Sequence, residues 1–385
     1  MHPRRVALLV ETSRAFGRGV IQGVNQYSRE QGTWSIQFTP LGLDDRPPGW
    51  LKGWQGDGIL ARIENRAMAE AVLALGVPVV ELRGRLVDLP FPHIGVDAHA
   101  VIDVAVEHLA ARGLRHFAFI GVPQGEYVRM DERREQFLAI TQARGLSRCV
   151  YPSGLPQQST RGWELQQQRL ARWVEALPKP VGVIAPNDDC GLRILEACRR
   201  AGVSVPEQAA VVSVDNDEYL CMLSTPPLSS VDIMPQHVGY QAAALLNGMM
   251  QGIAPKEMRI RTAPGPVVVR QSSDILATDD RPVVAAVEFI RENACQRIQV
   301  SDVARHVGLS PTAIGQRLRK VLGRTVYQEI QRVQIDRVRE LLSESDLPLK
   351  QIARHCGFKY TQHMARVFRE ATGRTLMEYR RQTRM

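Results

Sequence analysis

The sequence predicts an α/β unit of two similar lobes followed by an all-α domain carrying two helix-turn-helix units. Three observations lead to this reading. Short apolar runs alternate with helix-length segments from residue 4 to about residue 270, the rhythm of strands and helices in turn. A seven-residue word recurs in the tail at an offset of 49 residues. Positive charge is confined to that tail: residues 281–385 hold 20 Lys and Arg against 10 Asp and Glu, whereas residues 1–280 hold 29 against 30. A chain of 385 residues suits two or three domains of about 150 residues each. The boundaries drawn are 1–271 for the lobes, 272–281 for a linker and 282–385 for the tail domain.

The first apolar run is 6–10, followed by a helical segment at 17–30. The beat returns as 34–38, 58–60 with a helix at 66–75, 77–82, and 93–96 leading into 97–111. Runs that are apolar on both faces call for a parallel sheet covered by helices. A second series follows: 116–121, helices near 130–144 and 162–177, the strand 181–185, the helix 190–201 and the strand 210–214. Two lobes result, joined near 111–115, crossed again around 229–235 and 264–268, and separated by a cleft.

Ligands of open α/β sheets bind beyond the carboxyl ends of the strands. The polar residues there are Glu11-Thr12-Ser13-Arg14, Glu81 with Arg83, Asn187-Asp188-Asp189 and Asp215-Asn216-Asp217, with Arg129 as a further donor. Carboxylates and amides pair with adjacent hydroxyls and arginine offers a rigid fork of donors, a set that suits a small polyhydroxylated ligand. Phe16 and Trp50 are aromatics able to cover its apolar face. The candidate effector residues are therefore Ser13, Arg14, Phe16, Glu81, Arg129, Asp188, Asp215 and Asn216. Asp188 and Asp215 serve equally well as caps of the helices or turns that follow them.

No nucleophile elbow, P-loop, HExxH or dinucleotide-binding GxGxxG is present, and Phe16-Gly17-Arg18-Gly19 is a lone GxG. The nine histidines form no metal set, so the reading is binding without chemistry, metal or cofactor, with a sugar-converting enzyme as the alternative. Six cysteines without CxxC spacing read as buried thiols in a reducing compartment. The opening MHPRRVALLVE has too short an apolar run for a signal segment or a membrane span, so a cytoplasmic chain with no membrane partner is expected.

In the tail, Pro282 suits the first turn of a helix at 283–293. Ser301 is a plausible cap for a short helix at 300–306, Gly308 ends it, and Ser310-Pro311 opens a second helix to about 321. The pattern repeats at 349–355, Gly357 and 359–371: Val303-Ala304-Arg305-His306-Val307-Gly308-Leu309 is matched by Ile352-Ala353-Arg354-His355-Cys356-Gly357-Phe358. The two units lie at about 300–321 and 349–371. Between them, apolar positions from Val326 to Leu342 fit one helix of about 19 residues, roughly 28 Å long. Two helix-turn-helix heads held that far apart meet the same face of double-stranded DNA one turn on, at about 34 Å. A basic module attached to a near-neutral one is the expected charge distribution of a DNA-binding, nucleoid-associated protein.

Over Ile352-Ala353, Gly357-Phe358, Arg366, Phe368, Gly373 and Tyr379-Arg380, the tail resembles the arabinose-regulator (AraC/XylS) class of DNA-binding domain, with Thr375 where that class usually has proline. The lobes resemble the ribose-repressor (LacI-type) and periplasmic sugar-binding-protein class, carried by Asp57-Gly58, Asp215-Asn216 and Tyr240-Gln241-Ala242-Ala243. The combination is similar to the xylose-operon activators of enteric bacteria. The resemblance implies a monosaccharide effector in the cleft, a homodimer formed through the lobes, and transcription activation with RNA polymerase as partner. The segment 12–18 leaves xylose, another pentose or a non-pentose effector open, and a repressor remains the alternative. It further implies Thr312, Ala313 and Gln316 as reading positions of the first head and Thr361, Gln362, His363 and Arg366 as those of the second. Arg317, Arg319, Lys320, Lys359 and Arg369 are then phosphate contacts, which position rather than specify.

Overall fold

A computed structural model describes residues 3–31, 34–42, 45–82, 84–86, 88–152, 162–275, 280–345 and 347–383. Arg83 and four residues of the expected linker, 276–279, lie outside the described residues. The chain forms two units, Met1–Ile275 and Leu276–Met385.

The first unit begins with β1 (Arg5–Leu9), α1 (Ala15–Gln31), β2 (Ser35–Phe38), β3 (Gly58–Ala61), α2 (Arg66–Leu73), β4 (Val79–Leu82) and β5 (His93–Val96). It continues with α3 (Ala98–Ala110), β6 (His116–Phe119), α4 (Val128–Ala143), β7 (Ser147–Val150), α5 (Trp163–Ala176), β8 (Val181–Ile184), α6 (Asp188–Ala201), β9 (Ala209–Asp215), α7 (Glu218–Leu223) and β10 (Ser229–Asp232). The last elements are α8 (Pro235–Met250), β11 (Arg259–Thr262) and β12 (Val267–Val268). Among the described residues these strands form two six-stranded sheets, ordered β2-β1-β3-β4-β5-β11 and β7-β6-β8-β9-β10-β12. Every pairing is parallel except β10 with β12. The identical order, apart from that strand, is the duplication read from the sequence rhythm. β3 and β8 are buried along their whole length, which is why they read as continuous apolar runs.

Two boundaries differ from expectation. The first crossing between lobes comes at Asp97, whose carboxylate caps α3 through the Ala100 N–H at 3.1 Å, and not near 111–115. The apolar face of α3 (Val101, Ile102, Ala105, Val106, Leu109) covers β8, β9, β10 and β12, so α3 belongs to the second lobe. The later crossings fall where expected, with α8 returning to pack on α1 and on β3, β4 and β5. The first unit also runs past 271, because Ser272 is buried in it: its Oγ–H donates to the Val211 carbonyl at 2.7 Å and accepts the Ser229 N–H at 2.8 Å.

The α1–α8 contact is backbone on backbone. A Cβ at Gly239 would stand 2.1 Å from the Val20 carbonyl oxygen, and one at Gly23 would stand 1.9 Å from that of Gln236. Gly239→Ala should therefore lower the unfolding free energy by at least about 2 kcal/mol, since overpacking against backbone cannot relax by a rotamer change. Gly248→Ala on the same helix meets only Ile253 Cβ at 3.9 Å and should be neutral or gain up to about 1 kcal/mol of helix propensity. Denaturant titration of both variants checks this; equal effects would refute the close-approach account.

The second unit contains α9 (Arg281–Asn293), α10 (Val300–His306), α11 (Pro311–Leu322), α12 (Val326–Glu344), α13 (Leu349–His355), α14 (Thr361–Thr372) and α15 (Leu376–Thr383). α10–α11 and α13–α14 are the two helix-turn-helix units, with Gly308 and Gly357 in their turns at φ of +67° and +80°. Gln299, not Ser301, caps α10, forming a reciprocal box with Asp302. Each unit has its own apolar core, and α12 serves both: Val326 and Ile330 enter the first, Ile335, Val338 and Leu342 the second. Where proline is usual before α15, Thr375 forms a reciprocal cap with Glu378 instead, its N–H donating to Oε2 at 2.8 Å and its Oγ1 accepting the Glu378 N–H at 3.2 Å.

Candidate functional site

The carboxyl ends of the two sheets face each other across a cleft open to solvent, the usual place for a small-molecule site in such sheets. The first lobe contributes Arg14, Phe16, Arg62, Glu64 and Arg85, and the second Tyr127, Arg129, Asp188, Asp215 and Asp217. Phe16 is buried with the Arg62 guanidinium 5.6 Å from its ring centre, and Arg62 pairs with Glu64 at 2.5 Å and with Glu11. Burial raises the Glu64 pKa against the opposing pull of Arg62.

Several contacts cross the cleft. Asp217 Oδ2 accepts the N–H of Ala15, the first residue of α1, at 3.1 Å and lies 3.5 Å from Arg18, so a carboxylate of one lobe caps a helix of the other. Its Oδ1 is buried without a hydrogen-bond partner among the described residues. Arg14 pairs with Asp189, and Arg85 lies 4.6 Å from the ring centre of Tyr127. Arg129 donates to His93 Nε2 at 2.9 Å, which leaves Nδ1–H to donate to Glu81.

Of the expected effector residues, Arg14, Phe16, Arg129, Asp188 and Asp215 line the cleft, whereas Ser13, Glu81 and Asn216 do not. Ser13 is exposed outside the lining. Glu81 is buried, and Oε1 accepts the Gly84 N–H at 2.6 Å while Oε2 holds His93. Asn216 is tied to its own lobe, its Oδ1 accepting from Arg270 at 2.9 Å. Trp50 is turned into the first lobe, with Nε1–H donating to Thr39 at 2.8 Å and the ring edge-on to Trp54. Arg62, Glu64 and Tyr127 were not anticipated. The first two follow β3 immediately, so the rule that singled out the ends of β1, β4, β8 and β9 reaches them too.

Asp188 lines the cleft, but its oxygens are engaged internally. Oδ1 accepts Ser213 Oγ–H at 2.5 Å and Ser230 Oγ–H at 2.7 Å, and Oδ2 accepts the Asp217 N–H at 2.7 Å. It ties β9, β10 and the Asp217 turn together. Asp215 keeps a partly exposed carboxylate 3.6 Å from Arg133, on a backbone at φ +113° followed by Asn216 at +54°. Such conformations cost about 1–3 kcal/mol each and gather where a site requires them.

Burial, reinforced by the neighbouring Asp215 charge, pushes the Asp188 pKa up from 3.8 to about 7. Between those values the folded chain holds a proton that the unfolded chain has released, so stability falls as pH rises through this window. His108 has the opposite sign: burial and then Arg112 push it from 6.5 down to about 3, so stability is lost as pH falls through that interval. Over the shared range the two slopes, each up to about 1.4 kcal/mol per pH unit, offset one another. Asp188→Asn, whose amide can still serve both serines and the Asp217 N–H, should leave stability rising steadily from pH 4 to 6.5. An unchanged pH profile in denaturant titrations would refute the assignment.

In the second unit, Thr312, Gln316, Arg319, Lys320, Lys359, Gln362, Arg366 and Arg369 are exposed on α11, α14 or the turn before α14, and Ala313, Thr361 and His363 are half-buried. The opposite faces carry the cores, Ile314 and Leu318 on α11 and Met364, Val367 and Phe368 on α14. Arg317 departs from its expected phosphate role in one respect, for it is already paired with Asp280, the cap of α9, at 3.2 Å. Tyr360, unanticipated, is exposed with Lys359 Nζ 5.2 Å from its ring centre. Among the described residues no helix is long and apolar enough to cross a membrane.

Residues 5–94 match the family described as the XylR N-terminal domain, residues 106–273 the periplasmic binding protein-like domain, and residues 303–382 a helix-turn-helix domain. The chain is 32% identical over 381 residues to the xylose operon regulatory protein of Escherichia coli strain K12, covering 98% of this chain and 96% of that one. It is 30% identical over 382 residues to the protein of the same name from Haemophilus influenzae, covering 98% of each. Among solved structures, the xylose-binding transcription activator XylR matches with a TM-score of 0.73 at 30% identity, covering 99% of this chain and 98% of that one. The transcriptional regulator CelR in complex with cellobiose matches with a TM-score of 0.56 at 25% identity, over 71% of this chain and 86% of that one. With similarity running across lobes and tail alike, the chain belongs to the xylose operon regulator family of helix-turn-helix transcription regulators.

Proposed function

We propose that the inter-lobe cleft binds a monosaccharide of the pentose class and that its occupancy sets how a homodimer presents α11 and α14 to promoter DNA, activating sugar-catabolism genes with RNA polymerase as partner in the cytoplasm. The observation that carries this reading is the set of unlike polar groups converging on one cleft beside a buried aromatic ring: Arg14, Arg62, Glu64, Arg129, Asp215 and Asp217 around Phe16. Carboxylates accept and guanidinia donate, so vicinal hydroxyls find both kinds of partner while a ring face rests on Phe16. The relatives named for xylose support the pentose class.

Asp217 is the group through which binding becomes closure, because it lines the cleft and caps α1 across it. A ligand that binds the closed state better shifts the population by its difference in affinity for the two states, typically about 1–3 kcal/mol. On the DNA side, Thr312, Ala313, Gln316, Thr361, Gln362, His363 and Arg366 read base edges, while Arg319, Lys320, Lys359 and Arg369 hold phosphates. Arg317 joins them by exchanging Asp280 for phosphate. Calorimetry of the full chain against a panel of pentoses and hexoses tests the effector reading. One pentose with a dissociation constant well below those of the hexoses is expected, and no binding of any sugar would overturn it.

A further inference from the structure

The two helix-turn-helix units are similar in sequence, but their turns have different surroundings. Gly308 and Gly357 occupy matching places 49 residues apart, both at positive φ. A Cβ at Gly308 would meet nothing within 4 Å among the described residues. One at Gly357 would stand 2.9 Å from the Cys295 carbonyl oxygen, 2.9 Å from Gln334 Nε2 and 3.0 Å from the Ala294 carbonyl oxygen. The second turn therefore seats directly on the chain leaving α9, which belongs to the first core.

Gln334 completes the junction. It lies on α12 between Val333, packed against the first core, and Ile335, buried in the second. It is itself buried, and its Nε2–H donates to the Ala294 carbonyl at 2.9 Å. A buried amide between two apolar layers is costly to leave unpaired, so this bond favours one seating of the second unit against the first. Without it, α12 and the bare apposition of the Gly357 turn to Ala294–Cys295 are left to set the angle between the units, and a single helix bends.

We infer that Gly357, Gln334 and the Ala294–Cys295 segment form a lock that determines which spacing between two DNA half-sites the chain accepts. This rests on the reading of α11 and α14 as the helices that enter DNA. One added base pair moves the second half-site by about 3.4 Å and rotates it by roughly 35°, so a locked pair of heads follows only one spacing.

The test is selection of bound duplexes by the full-length protein from a library of random-sequence DNA, followed by sequencing and by anisotropy on the recovered duplexes. The wild type should recover the two motifs bound by each protomer at a single spacing, and one base pair added between them should weaken binding about tenfold or more. Gly357→Ala and Gln334→Leu should keep both motifs while spreading their spacing, with the one-base-pair penalty falling below about threefold. Gly308→Ala meets no neighbour at an equally left-handed position and should retain the single spacing. A single spacing in Gln334→Leu would overturn the lock, even where Gly357→Ala has lost its second motif by unfolding that unit. Spreading in Gly308→Ala would also overturn it, since backbone strain would then be the cause. Recovery by the wild type of no paired motifs would overturn the two-helix reading and the lock with it.

Discussion

Arg366→Ala should cost about 1–3 kcal/mol of discrimination at one base pair while leaving binding to unrelated duplexes little changed, if its exposed guanidinium on α14 pairs with guanine. Lys320→Ala, at the exposed end of α11, should weaken binding evenly across sequences and reduce the salt dependence by roughly one released counterion. Anisotropy titrations on a preferred duplex and on single-base variants, each at several salt concentrations, measure both. Equal losses on every duplex for both substitutions would remove Arg366 from the reading positions. The fold is not at risk in either case, because the core-facing residues of these helices are Met364, Val367 and Phe368 on α14 and Ile314 and Leu318 on α11.

Asp215→Asn should weaken effector binding by about 1.5–3 kcal/mol, roughly ten- to 150-fold, with little loss of ligand-free stability. Asparagine tolerates positive φ, so the backbone at +113° is respected while the charge is lost. The substitution also removes a negative neighbour of Asp188 and should lower the pH at which that carboxyl ionises. Asp217→Asn differs in kind. Weakening the cross-lobe cap of α1 loosens closure itself, so affinity should fall for every sugar tried and not for the preferred one alone. Calorimetry with thermal melting on both variants separates the cases. Asp215→Asn with lower ligand-free stability and unchanged affinity would mark Asp215 as a turn residue only.

What the sequence discloses about this molecule follows from the range of the forces involved. Period and apolar continuity are local, so β1, β3, β8 and α12 are legible, as is the duplicated helix-turn-helix. The lobe to which α3 belongs is not, because its buried face reads the same whichever sheet it covers. The candidate site divides in the same way. Position after a strand identifies Arg14, Asp188 and Asp215 and, applied to β3, reaches Arg62 and Glu64. The competition for each carboxylate includes partners far along the chain. Glu81 is taken by the Gly84 N–H and His93, and Asp188 by Ser213, Ser230 and the Asp217 N–H, partners up to 42 residues away. Nothing beside Glu81 or Asp188 in sequence signals that their oxygens are occupied.

The sharing of α12 between two cores also limits how such a chain can diverge in length. Each residue inserted into α12 would advance the second core by about 1.5 Å and turn it by about 100°, burying polar side chains and exposing Ile335, Val338 and Leu342. Only insertions near whole turns, such as seven residues with a residual rotation of about 20°, keep both cores on their own faces of the helix. Variation in the length of α12 is therefore confined to discrete steps near whole turns of the helix.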